Sequence, residues 1–246
     1  MKKLFTADPP VRPTGPPPSC RCAEGAQGGR KPRTPPLHRE AQNVDCEAWL
    51  RLCDRIDRAI TSGQRELAPL EGMTVAERAE IVTLPASIGR LVEVQKLLLY
   101  GSHLVRIPPE IGGMRSLAVL DIYTSYRLHF LPYEVTRCTQ LRYSRASTRA
   151  LFGNYKYRPP FPDLTHADNT TPLSLLAPST CSVCSSSLVS TPLHRWLTLN
   201  VGTDRVPLLV NACSEPCIAA LPRGAEGYVA LPHTGGGRLQ QPPPEY

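Results

Sequence analysis

The sequence has little that could cross a membrane or build an aromatic core. Of its 246 residues only 6% are aromatic, and the most apolar runs, Leu97–Tyr100 and Val206–Val210, are four and five residues long. A membrane-spanning helix needs about 20 apolar residues, so no span is predicted. Lys2 and Lys3 open the chain, but Asp8 and two prolines follow before a hydrophobic stretch develops, so no secretory signal is expected.

Signatures of several enzyme classes are also missing. The sequence holds no H-E-x-x-H metalloprotease motif, no G-x-S-x-G nucleophile motif and no G-x-x-x-x-G-K-[ST] phosphate-binding loop. No cysteine stands beside a base in the pattern that a thiol nucleophile needs. We therefore expect a protein that is not an enzyme.

Cysteine, in contrast, is plentiful. The chain has nine cysteines, an odd number, and without an export signal we expect a cytoplasmic protein whose thiols are reduced or bind metal. The formal net charge of +7 and the pI near 9.0 permit contact with nucleic acid or with acidic partners. A basic tail alone could produce this balance, so the charge does not decide the partner.

Proline and glycine, 27 and 17 residues, gather at the two ends of the chain. Residues 1–44 hold nine prolines and almost no large apolar side chains, so they are predicted to form a disordered tail. A second disordered tail is predicted over 233–246, and a connector over 151–175. The pair Cys20-x-Cys22 lies in the first tail with no partner motif nearby, and no site is predicted there.

An amphipathic helix is predicted over 46–61, beginning after a capping Asp45 and ending before Gly63. Its apolar side chains recur at helical spacing and should form one buried face, while charged side chains cover the other. The apolar residues of this face are Trp49, Leu50, Cys53, Ile56 and Ile60.

From residue 81 onward the sequence repeats. A dipeptide of a large aliphatic residue and proline recurs at intervals of 23 and 24 residues, as Leu84-Pro85, Ile107-Pro108 and Leu131-Pro132. The apolar positions that follow stay in phase, and an L-x-x-L-x-L pattern begins at Val94 and again at Leu117. Repeats of about 20 to 30 residues indicate a solenoid, in which each unit buries its apolar face against the next.

The segment 84–91 has the pattern L-P-x-x-I-G-x-L and, with the phased positions around it, resembles the leucine-rich repeat family, in particular its bacterial and plant-like type. The resemblance covers about residues 81–147, with a degenerate unit from Leu67. It implies an α/β fold, a short solenoid with a parallel concave sheet over 45–150, which the helix caps at the N-terminal end. Ser102 and Ser125 depart from the family, because an asparagine normally supports the turn there.

The repeat register also predicts a binding face. In each L-x-x-L-x-L strand the x side chains point outward from the concave sheet, and strands lie about 4.8 Å apart, so Asp121 and Arg145 are expected to pair. Exposed tyrosines beside charges are typical of protein-binding surfaces; the alternative is a solvated face that binds nothing. The predicted partner-binding residues are Lys96, Leu98, Tyr100, Asp121, Tyr123, Tyr143 and Arg145.

The strongest chemical signal lies towards the C-terminal end, where 28 residues separate two close cysteine pairs, Cys181-x2-Cys184 and Cys213-x3-Cys217. Four thiolates in two pairs can surround zinc tetrahedrally. Between the pairs, 196–201 and 206–210 are predicted to form a hairpin, and Ser214 should begin a short helix that contains Cys217. This order resembles a treble-clef module, predicted over 176–232, with a structural zinc ion bound by all four cysteines.

Other interpretations of these cysteines stay open. They could be small buried side chains, disulfides or a redox-active Cys-x-x-Cys, and His194 or His233 could replace one cysteine ligand.

Together these features predict a non-catalytic protein–protein interaction module whose concave face binds a protein partner. The alternative is a nucleic-acid-binding protein that uses the zinc module and the basic tail. Against this alternative, Arg195, Arg205 and Arg223 are scattered rather than clustered.

Overall fold

The computed structural model describes residue 20, residues 34–165 and residues 178–245. The fold is mixed α/β, with two sheets and few helices. In chain order its elements are α1 (Glu47–Ser62), β1 (Glu66–Leu67), α2 (Val75–Glu80), β2 (Lys96–Leu98), β3 (Val119–Ile122), β4 (Leu131–Pro132), β5 (Tyr143–Ala146), β6 (Leu193–Val201), β7 (Asp204–Ala212) and α3 (Glu215–Ala219). No helix in the described ranges combines the length and the apolar character needed to cross a membrane.

The first sheet is built by the repeated part of the sequence. Its order is β1-β2-β3-β5, and all neighbouring strands are parallel. Lys96 pairs with Val119, and Val119 pairs with Tyr143, so residues one repeat apart occupy equivalent places. The predicted parallel sheet is confirmed, and its register is the one that the phased apolar positions predict.

Each repeat also contains a short 3-10 helix directly after the aliphatic-proline dipeptide. A proline occupies the N-cap position of each of these helices, which cover Ala86–Arg90, Pro109–Gly113 and Tyr133–Arg137. Their central aliphatic side chains are buried in the core. The helices stack so closely that a Cβ on Gly89 would lie 2.6 Å from the carbonyl oxygen of Glu110, and one on Gly112 would lie 2.7 Å from that of Glu134, which explains why glycine recurs at this position.

Helix α1 confirms the predicted helix to within one residue, but its buried face is different. Cys46 rather than Asp45 is the N-cap residue, and Leu50 is 58% exposed. Two alanines belong to the buried core, whereas Trp49 is only partly buried against it. The buried stripe is Ala48, Leu52, Ile56 and Ala59.

The hairpin of β6 and β7 shares a sheet with the repeats. Strand β7 pairs antiparallel with β6 and parallel with β4, which brings Leu208 beside Leu131. Val201, Val206 and Leu208 belong to the same buried cluster as the leucines of the repeats. The predicted hairpin is confirmed, but its sharing of a sheet and a core differs from the separate module predicted over 176–232.

The turn of this hairpin covers the outer edge of β5, the last strand of the parallel sheet. The Thr203 hydroxyl donates to the Ser144 carbonyl (2.8 Å), and the Ala146 N–H donates to the Asp204 carboxylate (2.9 Å). A Cβ on Gly202 would lie 2.6 Å from the Ser144 nitrogen. Ser144 stands where earlier repeats have a leucine, and its small side chain leaves room for the turn.

Both described chain ends pack on one aromatic cluster, contrary to the predicted tails. The cluster includes Phe152, Phe161 and Trp196, and it buries Leu37 from the first end and packs against Leu239 from the second. A segment rich in proline and glycine is ordered here because the rest of the fold supplies the apolar surface that it lacks. Of the tail predicted over 1–44, residues 1–33 lie outside the described residues apart from residue 20, as do residues 166–177 of the connector.

Candidate functional site

The four cysteines of the predicted zinc site meet at the open end of the β6–β7 hairpin. Cys181 and Cys184 lie on a tight turn before β6, in which the Cys181 N–H donates to the Ser186 carbonyl (2.8 Å). Cys213 directly follows β7, and Cys217 lies in α3. The two ends of one hairpin therefore position both pairs.

The sulfur atoms converge on one point. The Cys213 Sγ lies 3.6 Å from the Cys184 Sγ and 3.5 Å from the Cys217 Sγ, and all four sulfurs lie within 4.8 Å of one another. A tetrahedral zinc ion about 2.3 Å from each sulfur sets sulfur–sulfur distances of about 3.8 Å, whereas a disulfide needs about 2.05 Å. These cysteines are free thiols, and their arrangement is compatible with a metal ion such as zinc.

Hydrogen bonds around the first pair favour thiolates. The Cys181 Sγ accepts from the Val183 and Cys213 N–H groups, both at 3.4 Å. Burial acts to raise the pKa of Cys181, but these and other backbone N–H groups hold that pKa below its ordinary value. Hydrogen bonds from the side chain and backbone of Ser186 lower the pKa of Cys184 to about 6.

Cys217 carries the opposite shift. A hydrogen bond with Ser214 favours its thiolate, but the neighbouring Cys213 thiol and burial raise the pKa of Cys217 to about 12. Sulfurs this close cannot all ionise unless a cation offsets their mutual repulsion. A divalent metal would supply that charge, and four sulfur ligands would leave no open position for a reacting water.

The two histidines that could have replaced a ligand lie elsewhere. The His194 Nδ1 lies 2.7 Å from the Asn211 Oδ1, and burial lowers the pKa of His194. The His233 ring packs edge-on against Phe161, with centroids 4.7 Å apart, and burial lowers its pKa to about 4. Neither belongs to the cysteine cluster.

The outward face of the parallel sheet carries the predicted partner-binding residues in two aligned columns and one aromatic pair. Leu98, Asp121 and Arg145 are paired in register. The Tyr100 and Tyr123 rings lie 6.1 Å apart, and the Arg145 guanidinium lies 5.5 and 5.3 Å from their centroids. The structure thus brings the two tyrosines and the arginine together as one surface cluster.

Not all of these residues are accessible. Asp121 is only 2% exposed, because its carboxylate accepts from the Arg145 guanidinium (2.5 and 3.1 Å) and from the Tyr123 N–H (3.0 Å). The expected Asp121–Arg145 pair is present, and Asp121 positions the arginine from below. The Lys96 ammonium is 2.8 Å from the Glu66 carboxylate, while Leu98 and Tyr143 are half-buried.

A second group of metal-ligating side chains was not predicted. The side chains of Cys20, His38 and His129 place one ligand atom each within 4.8 Å of one another. The sequence signal was the Cys20-x-Cys22 pair alone, because one histidine partner lies 109 residues from Cys20. No local spacing could have joined them.

Comparison with known proteins gives a weak likeness. No protein-family model matches the sequence, and no curated protein matches it. A solved structure of a leucine-rich repeat protein from Leptospira interrogans is similar over 27% of this chain and 18% of that chain, with 29% sequence identity and a TM-score of 0.24. The chain therefore matches less than a fifth of the length of that protein.

Proposed function

We propose that this chain is a non-catalytic protein–protein interaction module of the leucine-rich repeat type. Its repeats form a short solenoid, and a protein partner binds on the outward face of the parallel sheet. A structural zinc ion bound by Cys181, Cys184, Cys213 and Cys217 holds the C-terminal hairpin that covers the last repeat.

The observation that carries this proposal is the cluster of Tyr100, Tyr123 and Arg145. Tyr123 is 41% exposed, and the Arg145 side chain is 39% exposed although it is paired with Asp121. Tyrosine and arginine are the residues that most often anchor protein interfaces. An arginine already oriented by a buried carboxylate and two rings loses little side-chain entropy when a partner binds.

The chemistry around the cluster suggests the kind of partner. A cleft at the N-terminal ends of β3 and β5 is lined by Val119 and Tyr143 together with the basic Arg115 and Arg142. We expect a partner segment that combines apolar or aromatic side chains, for the tyrosines, with acidic side chains, for the arginines.

Among the residues that the structure describes, no comparable feature favours nucleic-acid binding. Near the cysteine cluster, Arg195 lies 3.1 Å from the Glu215 carboxylate. Arg205 lies 3.9 Å from Glu245. Because these guanidinium groups face carboxylates, they form no free basic stripe for a phosphate backbone.

The test is a binding comparison with the full chain. Tagged parent protein captures partners from cells that produce it, and a captured protein is then purified and its affinity measured by calorimetry. Replacing Tyr100, Tyr123 or Arg145 by alanine should weaken binding by more than about 1 kcal/mol each. The control replaces the exposed tyrosines Tyr155 and Tyr157, which lie outside the sheet, and should bind as the parent does.

Two results would contradict the proposal. The first is a partner that binds a variant with alanine at Tyr100, Tyr123 and Arg145 with the same affinity as it binds the parent, provided that variant and parent melt at the same temperature. The second is tight binding of random duplex DNA with a steep dependence on salt, which would favour the nucleic-acid alternative.

A further inference from the structure

Three potential metal ligands from distant parts of the chain meet beside the aromatic cluster. The Cys20 Sγ lies 2.9 Å from the His129 Nε2, and the His38 Nε2 lies 3.4 Å from the same nitrogen. His129 is 1% exposed, and the His38 side chain is 11% exposed. Cys20 is half-buried, so the three ligand atoms meet at a point that is partly withdrawn from water.

The far side of each imidazole is already engaged. The Nδ1 of His129 lies 2.5 Å from the Ala150 carbonyl oxygen, which can only accept, so this Nδ1 carries the proton. The Nδ1 of His38 lies 3.2 Å from both carboxylate oxygens of Glu40 and donates to them. With a single proton on each ring, both rings therefore turn an unprotonated Nε2 towards the shared point, as metal-bound histidines do.

We propose that Cys20, His38 and His129 bind a second zinc ion. When both rings are neutral, the two facing Nε2 atoms can share one cation, and an ion bound to both also offsets the charge of a Cys20 thiolate. A tetrahedral zinc ion sets the nitrogen–nitrogen distance at about 3.4 Å, which is the distance between the two Nε2 atoms. It sets the sulfur–nitrogen distance at about 3.6 Å, so binding would move Cys20 outward by about 0.7 Å.

The surrounding charges support this ligand set. Glu40 is held by ion pairing with Arg127, and the Arg106 guanidinium donates to the Glu40 carbonyl. The carboxylate is therefore fixed against His38, in the carboxylate–histidine–metal arrangement that orients a ligand and increases its basicity. One thiolate and two imidazoles suit a borderline-soft ion such as zinc rather than magnesium or calcium.

This second centre would fasten the N-terminal segment to the body of the protein. His38 belongs to the segment that carries Leu37 into the aromatic cluster, and the His129 ring lies 4.9 Å from Phe152 of that cluster. The role goes beyond the proposed function, because the four-cysteine site uses none of these residues.

The experiment counts zinc in the full-length protein. We expect two zinc ions per parent chain after loading with Zn²⁺ and desalting, measured by native mass spectrometry. Cys20→Ser and His38→Gln should each bind one. Controls are Cys53→Ser and His103→Gln, a thiol and an imidazole outside both clusters, which should bind two. Loading with Co²⁺ separates the sites, because Cys20→Ser should keep the absorption of a four-thiolate centre.

The counts also separate this proposal from the first zinc site. If the parent binds one ion and Cys20→Ser binds none, the four-cysteine assignment is refuted and the second centre is supported. A parent with one ion that Cys20→Ser retains, or variants that keep both ions, would overturn the second centre. Glu40→Gln should keep the ion but weaken Zn²⁺ affinity about 10–100-fold, whereas unchanged affinity would overturn the role of Glu40 in positioning His38.

Discussion

At the scale of single residues, Glu134 shows how burial makes a charge costly. It is 1% exposed, and the Ser182 hydroxyl donates to its Oε1 at 2.7 Å. Its Oε2 has no hydrogen-bond partner among the described residues. Burial, only partly offset by Ser182, raises the pKa of Glu134 above the ordinary 4.5.

This shift predicts a pH-dependent stability. In the unfolded chain Glu134 loses its proton near pH 4.5, while the folded protein still holds it, so stability falls as the pH rises from there to the folded pKa. Glu134→Gln stays neutral and keeps an oxygen for Ser182. The variant should therefore gain stability relative to the parent as the pH rises through this window, with the difference constant above it. Urea denaturation at a series of pH values measures this difference; a constant difference across the series would contradict the prediction.

For single residues, the sequence predicts those contacts that the repeat register sets. The pairing of Asp121 with Arg145 could be predicted because the repeat length sets their register. The supporting serines could be located in the same way, and the Ser102 and Ser125 hydroxyls lie 2.7 Å apart. The burial of Asp121 could not be predicted from the sequence, because it depends on the side-chain conformation of Arg145, which covers it.

At the scale of elements, the β6–β7 turn depends on one glycine. Gly202 has φ 58°, and a Cβ there would meet the backbone of both Tyr143 and Ser144 at 2.6 Å. Backbone atoms cannot yield as a flexible side chain can. The turn therefore needs glycine for two reasons: the positive φ, and the close contact with the backbone of β5.

A pair of alanine substitutions separates these two needs. Gly63, at the C-terminal end of α1, has φ 63° and nothing within 4 Å of its Cβ position. Gly63→Ala should cost only the left-handed conformation, about 1 kcal/mol. Gly202→Ala should cost about 2 kcal/mol more, because it also forces β5 and the hairpin apart. Chemical denaturation compares the two, and equal costs would mean that the turn does not press on β5.

The elements themselves were predictable to different degrees. Helix α1, the hairpin and α3 follow from patterns within about 20 residues, and the repeats make the parallel sheet predictable. Helix α2 is too short for periodicity to reveal, although Thr74 and Glu77 form a capping box. The pairing of β4 with β7 joins residues far apart in sequence, and no local signal reports such contacts.

At the scale of the whole molecule, the cysteine cluster and the repeats are mechanically linked. Arg137 is the last residue of a 3-10 helix of the repeats. Its guanidinium donates to the carbonyls of Cys181 and Ser182 at 3.2 and 3.1 Å. The β6–β7 hairpin connects the cluster at one end with β5 at the other. Disrupting the cysteine cluster should therefore also destabilise the last repeat.

Metal removal tests this linkage. A structural zinc site contributes on the order of 10 kcal/mol to folding, so Cys213→Ser or chelation should release the C-terminal region first and then loosen the last repeat around Leu141. Hydrogen exchange measured by mass spectrometry should show early exchange in these two regions and later exchange in α1. Cys53→Ser should leave the pattern unchanged, since Cys53 lies in α1. A metal-free, fully folded protein whose four thiols react freely would refute the zinc assignment.

The meeting of both chain ends on the aromatic cluster also constrains the order of folding during synthesis. Leu37 is made about 200 residues before Leu239, and Trp196 of the same cluster comes late as well. At about 5–20 residues per second, the N-terminal segment waits roughly 10–40 s for its docking surface. The repeats can assemble earlier because their contacts are local. Leu37 and Leu239 therefore join the cluster last, and the nascent protein exposes Leu37 until the later members of the cluster are made.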